Sequence, residues 1–228
     1  MPVSVAVAIL TRSPADPRLK QRLAPILAEA EDRREVALAF LDDLVARVNT
    51  IPDVTLKVAV TPPVEGLRMS RPSIPWNSLL SQRGISLGER LRHVIDDLVA
   101  AGFSQVLLVG NDVPDVPATC LEEALRVLQD EPQAVVTGPS GDGGYYLLGV
   151  TARSGRVPDL LSQVRWNTPH MLDDTEAAAQ DQGLTVHRVA NWHDIDTPDD
   201  LAALVERLRK DPAAAPHTVE ALRRLQLL

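Results

Sequence analysis

The sequence predicts an α/β fold, a three-layer α/β/α arrangement around a mostly parallel sheet. Two observations carry this reading. Short runs alternate with period two, as in Val54, Leu56, Val58 and Val60. Between such runs, apolar residues recur at helical spacing, as in Leu87, Leu91, Val94, Ile95 and Leu98. The chain has 228 residues, 45% hydrophobic and 24% charged, which suits one domain of this class. We predict a single domain over residues 1–210, with residues 211–228 a helical tail packed on it.

In chain order, Val3 to Leu10 predicts a central strand, its valines alternating with small residues that can also be buried. Thr11 to Lys20 is a loop with two prolines. The stripe Val36, Phe40, Leu41, Leu44, Val45 and Val48 predicts a helix from about Glu31 to Val48. A strand follows at Val54 to Val60. Thr61 to Gln82, with four prolines and little periodicity, reads as an irregular stretch, either a mobile lid or a long surface loop. The next helix ends at Gly102. Gln105 to Val109 is a strand, Ala118 to Gln129 a helix and Ala134 to Thr137 a strand. A glycine-rich turn, Gly138 to Gly144, leads into a strand at Tyr145 to Val150. Thr168-Pro169 predicts a helix start, with Thr as cap and Pro at the first helical position. That helix closes near Gly183, and Leu184, Val186 and Val189 form the last strand. Thr197-Pro198-Asp199-Asp200 predicts another start, its acids in the positive first turn. The tail carries a short helix, Thr218 to Leu227.

Formal net charge is −8, which argues against a nucleic-acid backbone or an anionic membrane as the main partner. Cys120 is the one cysteine, so no intrachain disulfide forms, and the five histidines lack zinc spacing. No apolar run approaches the ~20 residues of a membrane span. Met1 to Leu10 reads as a strand and not a signal peptide, so a cytoplasmic location is expected.

Ligands of such sheets bind beyond the carboxyl ends of the strands, which directs attention to the loops after Leu10, Val109, Thr137 and Ala190. Asp112, just past a strand end and before Pro114, is placed to hold Mg²⁺ or Mn²⁺ with phosphate oxygens and water. It reads equally as a helix cap or Asx turn. Asp115 reads as a solvated loop acid. Asp194 and Asp196 flank Ile195, so an extended segment turns both to one side, as a cation requires. The residues themselves favour a plainer reading, the lead-in to a helix cap. Trp192 and Cys120 read as packing, and His193 as a surface or packing residue. Arg12, Arg18, Lys20 and Arg22 put four cations after the first strand of an acidic chain, a phosphate-facing set. The alternative is a solvated basic loop. The segment lacks the glycines of a Walker loop or dinucleotide fingerprint. In the glycine-rich turn, Asp142 can orient or deprotonate an acceptor hydroxyl, or simply close an Asx turn.

Taken together, these stretches resemble the rSAM/selenodomain-associated transferases, a group within the glycosyltransferase-A-like nucleotide-diphospho-sugar transferases. The resemblance runs over nearly the whole chain. It is carried by Ser13-Pro14 through Arg18, Lys20 and Arg22 to Pro25; by Leu87-Gly88-Glu89-Arg90; by Gly110 with Asp112 and Pro114; and by Gly138-Pro139 with Asp142-Gly143-Gly144-Tyr145-Tyr146-Leu147. Trp166 with Thr168, and Asp194-Ile195-Asp196-Thr197-Pro198 with Asp200-Leu201, extend it. It implies a Rossmann-like fold of the GT-A type and Asp112 facing a metal, and it strengthens Asp196 as a second site carboxylate. Thr11, Gly88 and Arg90 join the nucleotide- and phosphate-binding set, and Gly143, Gly144 and Tyr145 the acceptor-binding set. The chain departs from the family at Arg12, Asp16-Pro17, Gln21, Asn111 and Val113. Arg22 to Val48 is also similar to phospholactate guanylyltransferases.

The leading expectation is a metal-dependent glycosyltransferase using a nucleotide-sugar donor, with Asp112 and Asp142 catalytic and Asp112, Asp194 and Asp196 around Mg²⁺ or Mn²⁺. The first alternative is a nucleotidyltransferase that takes a nucleoside triphosphate and releases pyrophosphate. The second is a non-catalytic nucleotide-binding protein. Each binds a nucleotide, and the two enzymes also bind a small-molecule acceptor.

Overall fold

A computed structural model describes residues 4–152 and 155–228; Val3, the first residue of the predicted leading strand, lies outside them. Seven strands form one sheet: β1 (Val5–Thr11), β2 (Val54–Val60), β3 (Leu79–Ser81), β4 (Gln105–Gly110), β5 (Ala134–Pro139), β6 (Tyr145–Thr151) and β7 (Thr185–Arg188). Their spatial order is β3-β2-β1-β4-β6-β5-β7, and every pairing is parallel except the two made by β6. The helices are α1 (Ala30–Val48), α2 (Glu65–Ser70), α3 (Leu87–Ala100), α4 (Ala118–Asp130), α5 (Met171–Asp181), α6 (Pro198–Lys210) and α7 (Pro216–Arg224). The predicted class, a mostly parallel sheet with helices on both faces, is the one observed.

The period of two in β1 sorts its residues between two cores. Val5, Val7 and Ile9 face α1 and α4, where Leu41, Leu44, Leu121 and Leu128 cover them. Ala6 and Ala8 face the other side, where Leu91, Val94, Ile95 and Leu98 of α3 pack. Both faces of β1 are sealed, as a central parallel strand requires. A third cluster lies behind α1: Val36 and Phe40 meet Leu201, Leu204 and Leu208 of α6 and Val219 and Leu222 of α7. The helix layer is therefore doubled on that side.

The segment 61–82 differs from its prediction. It contains α2 and the edge strand β3, which pairs parallel with β2 through Val58↔Leu79, Ala59↔Leu80 and Val60↔Ser81. Three residues are too few to show alternation, and α2 buries only Leu67, so neither element leaves a periodic trace. The buried Gln82 side chain pins the end of the segment by donating to the carbonyls of Ala59 and Thr11 at 2.7 and 3.2 Å. The helix predicted at Thr168-Pro169 begins at Met171 instead. Thr168 Oγ1 donates to the Arg165 carbonyl at 2.7 Å, closing a turn before the helix. Asp115 is buried, not solvated: it accepts from Trp192 Nε1 at 3.0 Å and pairs with Arg207 at 2.6 Å. Among the described residues no helix is long and apolar enough to cross a membrane.

The order β2-β1-β4, with α1 and α3 on opposite faces, opens a crevice beyond the carboxyl ends of β1 and β4. The outer layer is anchored by Asp43 of α1. Its carboxylate accepts from Thr218 Oγ1 (2.6 Å), Thr218 N (2.8 Å) and His217 N (2.9 Å), satisfying free donors at the start of α7. Burial pushes the Asp43 carboxyl up, and these hydrogen bonds oppose the shift. Replacing Asp43 with Ala is expected to destabilise the protein by roughly 2–4 kcal/mol through the orphaned donors. Urea denaturation measures this, and an unchanged midpoint contradicts the anchoring role.

Candidate functional site

The cleft begins where β1 runs out. The loop after Thr11 is fixed by Ser13, whose Oγ donates to the Pro63 carbonyl at 2.6 Å and whose N–H donates to Thr61 Oγ1 at 2.9 Å. Asp16 then gathers the arginines. Its Oδ1 accepts from Arg18 N at 2.9 Å and Nε at 3.1 Å, while Oδ2 pairs with Arg18 at 3.1 Å and Arg12 at 3.2 Å. These partners hold the Asp16 carboxyl down at about 2, so it stays charged. Arg90, from the first turns of α3, completes the group. Burial, with the nearby charges of Arg12 and Arg18, pushes its pKa down. Its Nε is buried without a partner. One end of the cleft thus carries three guanidiniums against one carboxylate. With Thr11, Thr61 and Gln82 they line a chamber of about 390 Å³.

Lys20 follows in the left-handed conformation, φ 48°. Its side chain is 4% exposed and its ammonium contacts Asp112 Oδ1 at 2.6 Å, the Ile195 carbonyl at 2.5 Å and Asp196 Oδ1 at 4.0 Å. The ring of Phe40 lies 5.0 Å away. Lys20, expected to face phosphate, lines the chamber of Arg12, Arg18 and Arg90, and its ammonium also ties it to the loops after β4 and β7. Arg22 reaches Asp196 Oδ2 at 3.1 Å.

The loops after β4 and β7 are joined by the N–H of Ile195 donating to the Asp112 carbonyl at 2.8 Å. Ile195 is fully buried, which turns Asp194 and Asp196 outward, and both line the cleft beside Asp112. Burial, then the charges of Asp112, Asp142 and Asp196, push Asp194 up to about 7, with Lys20 opposing. Burial and Asp112 raise Asp196, while Lys20 and Arg22 oppose. Asp142 completes the carboxylate group. Its Oδ1 accepts from Ser140 Oγ at 2.7 Å and Gly144 N at 2.9 Å, an Asx-type turn.

Among the described residues no three His, Cys, Asp or Glu side chains draw close enough to cage a metal ion by themselves. A hard divalent cation bound with phosphates needs only one or two protein carboxylates. Asp112, with Asp194 raised by burial and then by its neighbours' like charges, is an oxygen donor set of the kind such an ion takes.

Beyond the carboxylates lies a second chamber of about 560 Å³, sharing Asp112, Asp196, Arg22 and Leu87 with the first. Gly144 and Tyr145 line it, but Gly143 does not. Gly143 has φ +84°, and a Cβ there would lie 2.2 Å from the Pro169 carbonyl oxygen, so it packs on the 166–169 segment. Gly88 also departs from its expected place among phosphate ligands. A Cβ on it would meet Trp166 Nε1 at 2.4 Å, so its missing side chain is the seat of the indole. The wall formed by Trp166, Asn167 and Met171 was not anticipated as part of the site. The Trp166–Thr168 motif was visible, but the contact of Trp166 with Gly88 joins positions about eighty residues apart.

The family model described as an uncharacterized protein conserved in bacteria (DUF2064) matches residues 44–168. The chain belongs to this family. A relative is the phosphoenolpyruvate guanylyltransferase of Sphaerobacter thermophilus, 28% identical over 205 residues, covering 88% of this chain and 92% of that protein. A crystal structure from Desulfovibrio desulfuricans G20, of a protein assigned to the nucleotide-diphospho-sugar transferases, matches with a TM-score of 0.82. It is 23% identical, and 98% of each chain is covered. The CMP:2-keto-3-deoxy-manno-octonic acid synthetase complexed with CTP matches with a TM-score of 0.57 at 12% identity, over 91% of this chain and 99% of that one. The fold of this family member is thus that of nucleotidyl and sugar-nucleotide transferases.

Two expectations follow from the geometry. Because the folded-state pKa of Asp194 lies above its ordinary 3.8, folding favours the protonated form. Its contribution is complete below that value and is lost as pH rises through about 7. In chelator, the thermal midpoint should fall across that window, and Asp194→Asn should flatten the fall; an equal slope in both proteins contradicts the shift. Gly88→Ala should displace Trp166, seen as a red shift and loss of intensity in its fluorescence; an unchanged spectrum contradicts the seating.

Proposed function

We propose that this protein is a nucleotidyltransferase: it takes a nucleoside triphosphate, transfers the nucleoside monophosphate to a hydroxyl acceptor and releases pyrophosphate. The observation that carries this reading is the division of the cleft. An excess of guanidinium charge at one end meets a carboxylate group at the other, and the two meet over Asp112. A departing pyrophosphate carries more charge than a departing nucleoside diphosphate, and Arg12, Arg18 and Arg90 suit it. The similarity to a guanylyltransferase supports the same reading and makes GTP the first donor to test. The narrower resemblance to rSAM/selenodomain-associated transferases is compatible with it, since it fixes a site pattern and not a reaction.

In this reading the three arginines hold the β- and γ-phosphates and orient the α-phosphorus toward the carboxylates. Lys20 keeps Asp112 fixed in direction. Asp142 has Oδ1 engaged by Ser140 and Gly144, which leaves Oδ2 to take the acceptor's proton. The acceptor oxygen bonds to the α-phosphorus, the bond from that phosphorus to the bridging oxygen breaks, and pyrophosphate leaves. Mg²⁺ or Mn²⁺ held by Asp112 with Asp194 and Asp196 would neutralise charge on the phosphates.

Glycosyl transfer from a nucleotide sugar, the reading that led from sequence alone, keeps the support of the Desulfovibrio fold match. Product analysis separates the two. Incubation of GTP, CTP, UTP and ATP with Mg²⁺ and a mixed acceptor pool should release pyrophosphate, whereas nucleotide sugars should yield no nucleoside diphosphate. Asp112→Asn should lower turnover by about 10² or more. It should also abolish the rise in thermal midpoint that Mn²⁺ gives with the triphosphate. Diphosphate release from nucleotide sugars without pyrophosphate release from any triphosphate would falsify the proposal.

A further inference from the structure

We infer that the acceptor of this enzyme is an uncharged alcohol with an apolar face, and not a small phosphorylated or carboxylated acid. The inference rests on the donor reading above for the identity of the chamber, and goes beyond it in naming the class of molecule the chamber takes.

The acceptor chamber is walled by Leu87, Leu91, Leu148, Tyr145, Trp166 and Met171. Among the described residues lining it, Arg22 is the one cation, and its guanidinium is already paired with Asp196 at 3.1 Å. The same wall carries four carboxylates, Asp112, Asp142, Asp194 and Asp196. The other chamber carries the guanidiniums of Arg12, Arg18 and Arg90, three against the one carboxylate of Asp16 that pairs with two of them. An acid such as phosphoenolpyruvate would leave water for a wall of hydrocarbon and like charge, with no unpaired donor cation to receive it. Burying an ion without a partner is strongly disfavoured.

A neutral alcohol meets no such barrier. Its apolar face replaces water on Trp166, Leu87, Leu91 and Leu148, and the volume of about 560 Å³ is within the usual range for small-molecule sites. Its hydroxyl can be directed by polar groups of the lining, among them the carboxylate of Asp142 and the amide of Asn167. Asp142 has one oxygen fixed by its turn, so the other meets a hydroxyl in a defined direction. The chamber thus recognises an acceptor by an apolar surface on one side and a single reactive hydroxyl on the other.

The test is calorimetric binding of n-hexyl β-D-glucoside, phosphoenolpyruvate and 3-phosphoglycerate to the full chain, with and without GTP and Mg²⁺. The glucoside should bind at least about tenfold more tightly than either acid. The variant Met171→Lys, which adds an ammonium to the wall, should close that gap by about tenfold while leaving GTP binding unchanged. Acids that bind as tightly as the glucoside, or a glucoside that does not bind at all, overturn the inference. Failure of every triphosphate to bind sinks the donor reading instead. The order of glucoside and acids measured without nucleotide still decides the acceptor class.

Discussion

The ammonium of Lys20 lies at the junction of three loops that the fold brings together, and it touches all three at once. It contacts a carboxylate from the loop after β4 and a backbone carbonyl from the segment after β7, while its own backbone belongs to the loop after β1. Four carboxylates share this end of the sheet, and without a fixed cation their mutual repulsion would push the loops apart. Burial strengthens the ammonium's hold, because little water competes for it. A second tie, from the Ile195 N–H to the Asp112 carbonyl, sets the register of the two loops. The remaining site geometry follows: Ile195 inward, Asp194 and Asp196 outward, Asp112 between the chambers.

Charge is sorted along the cleft by sequence position. The arginines come from the β1 loop and the start of α3, and Asp16 holds two of them in place. The acids come from loops on the β4, β6 and β7 side. A protein with net charge −8 can therefore present a local anion site without a basic surface. Asp16 lies in the Asp16-Pro17 pair, where the chain departs from the family it resembles. Its role in the structure is to pre-orient Arg12 and Arg18, so a ligand need not order two long side chains itself.

Much of this was legible in the residues. The alternation in β1 and β2, the helical stripe of α3 and the capped start of α6 all report burial of one face, which leaves a periodic record. The Asp194-Ile195-Asp196 triplet announced its geometry because an extended backbone alternates its side chains. What stayed hidden depends on contacts remote in sequence. Asp115 looks like any loop acid until Trp192 and Arg207 arrive from the other end of the chain. Gly88 looks like a phosphate-loop glycine until the indole of Trp166 fills the space above it. That Lys20 also bridges Asp112 and the Ile195 carbonyl shows only once the loops after β4 and β7 are folded beside it. The edge strand β3 is too short to carry a pattern of its own.

The reversal of β6 has a structural consequence for the site. A parallel crossover from β5 would return the chain to the far end of the sheet and require a helix to do so. By running backward, β6 allows a turn of five residues, 140–144, to sit at the same edge as the ends of β1 and β4. That turn holds Asp142 and packs through Gly143 against the 166–169 segment. Its flanking strands are fixed by the ladders to β4 and β7, and within it Gly143 and Gly144 leave no room for a side chain. The chain thereby owns a compact cassette at the larger chamber, whose exposed positions can vary while the arginine end of the cleft stays as it is.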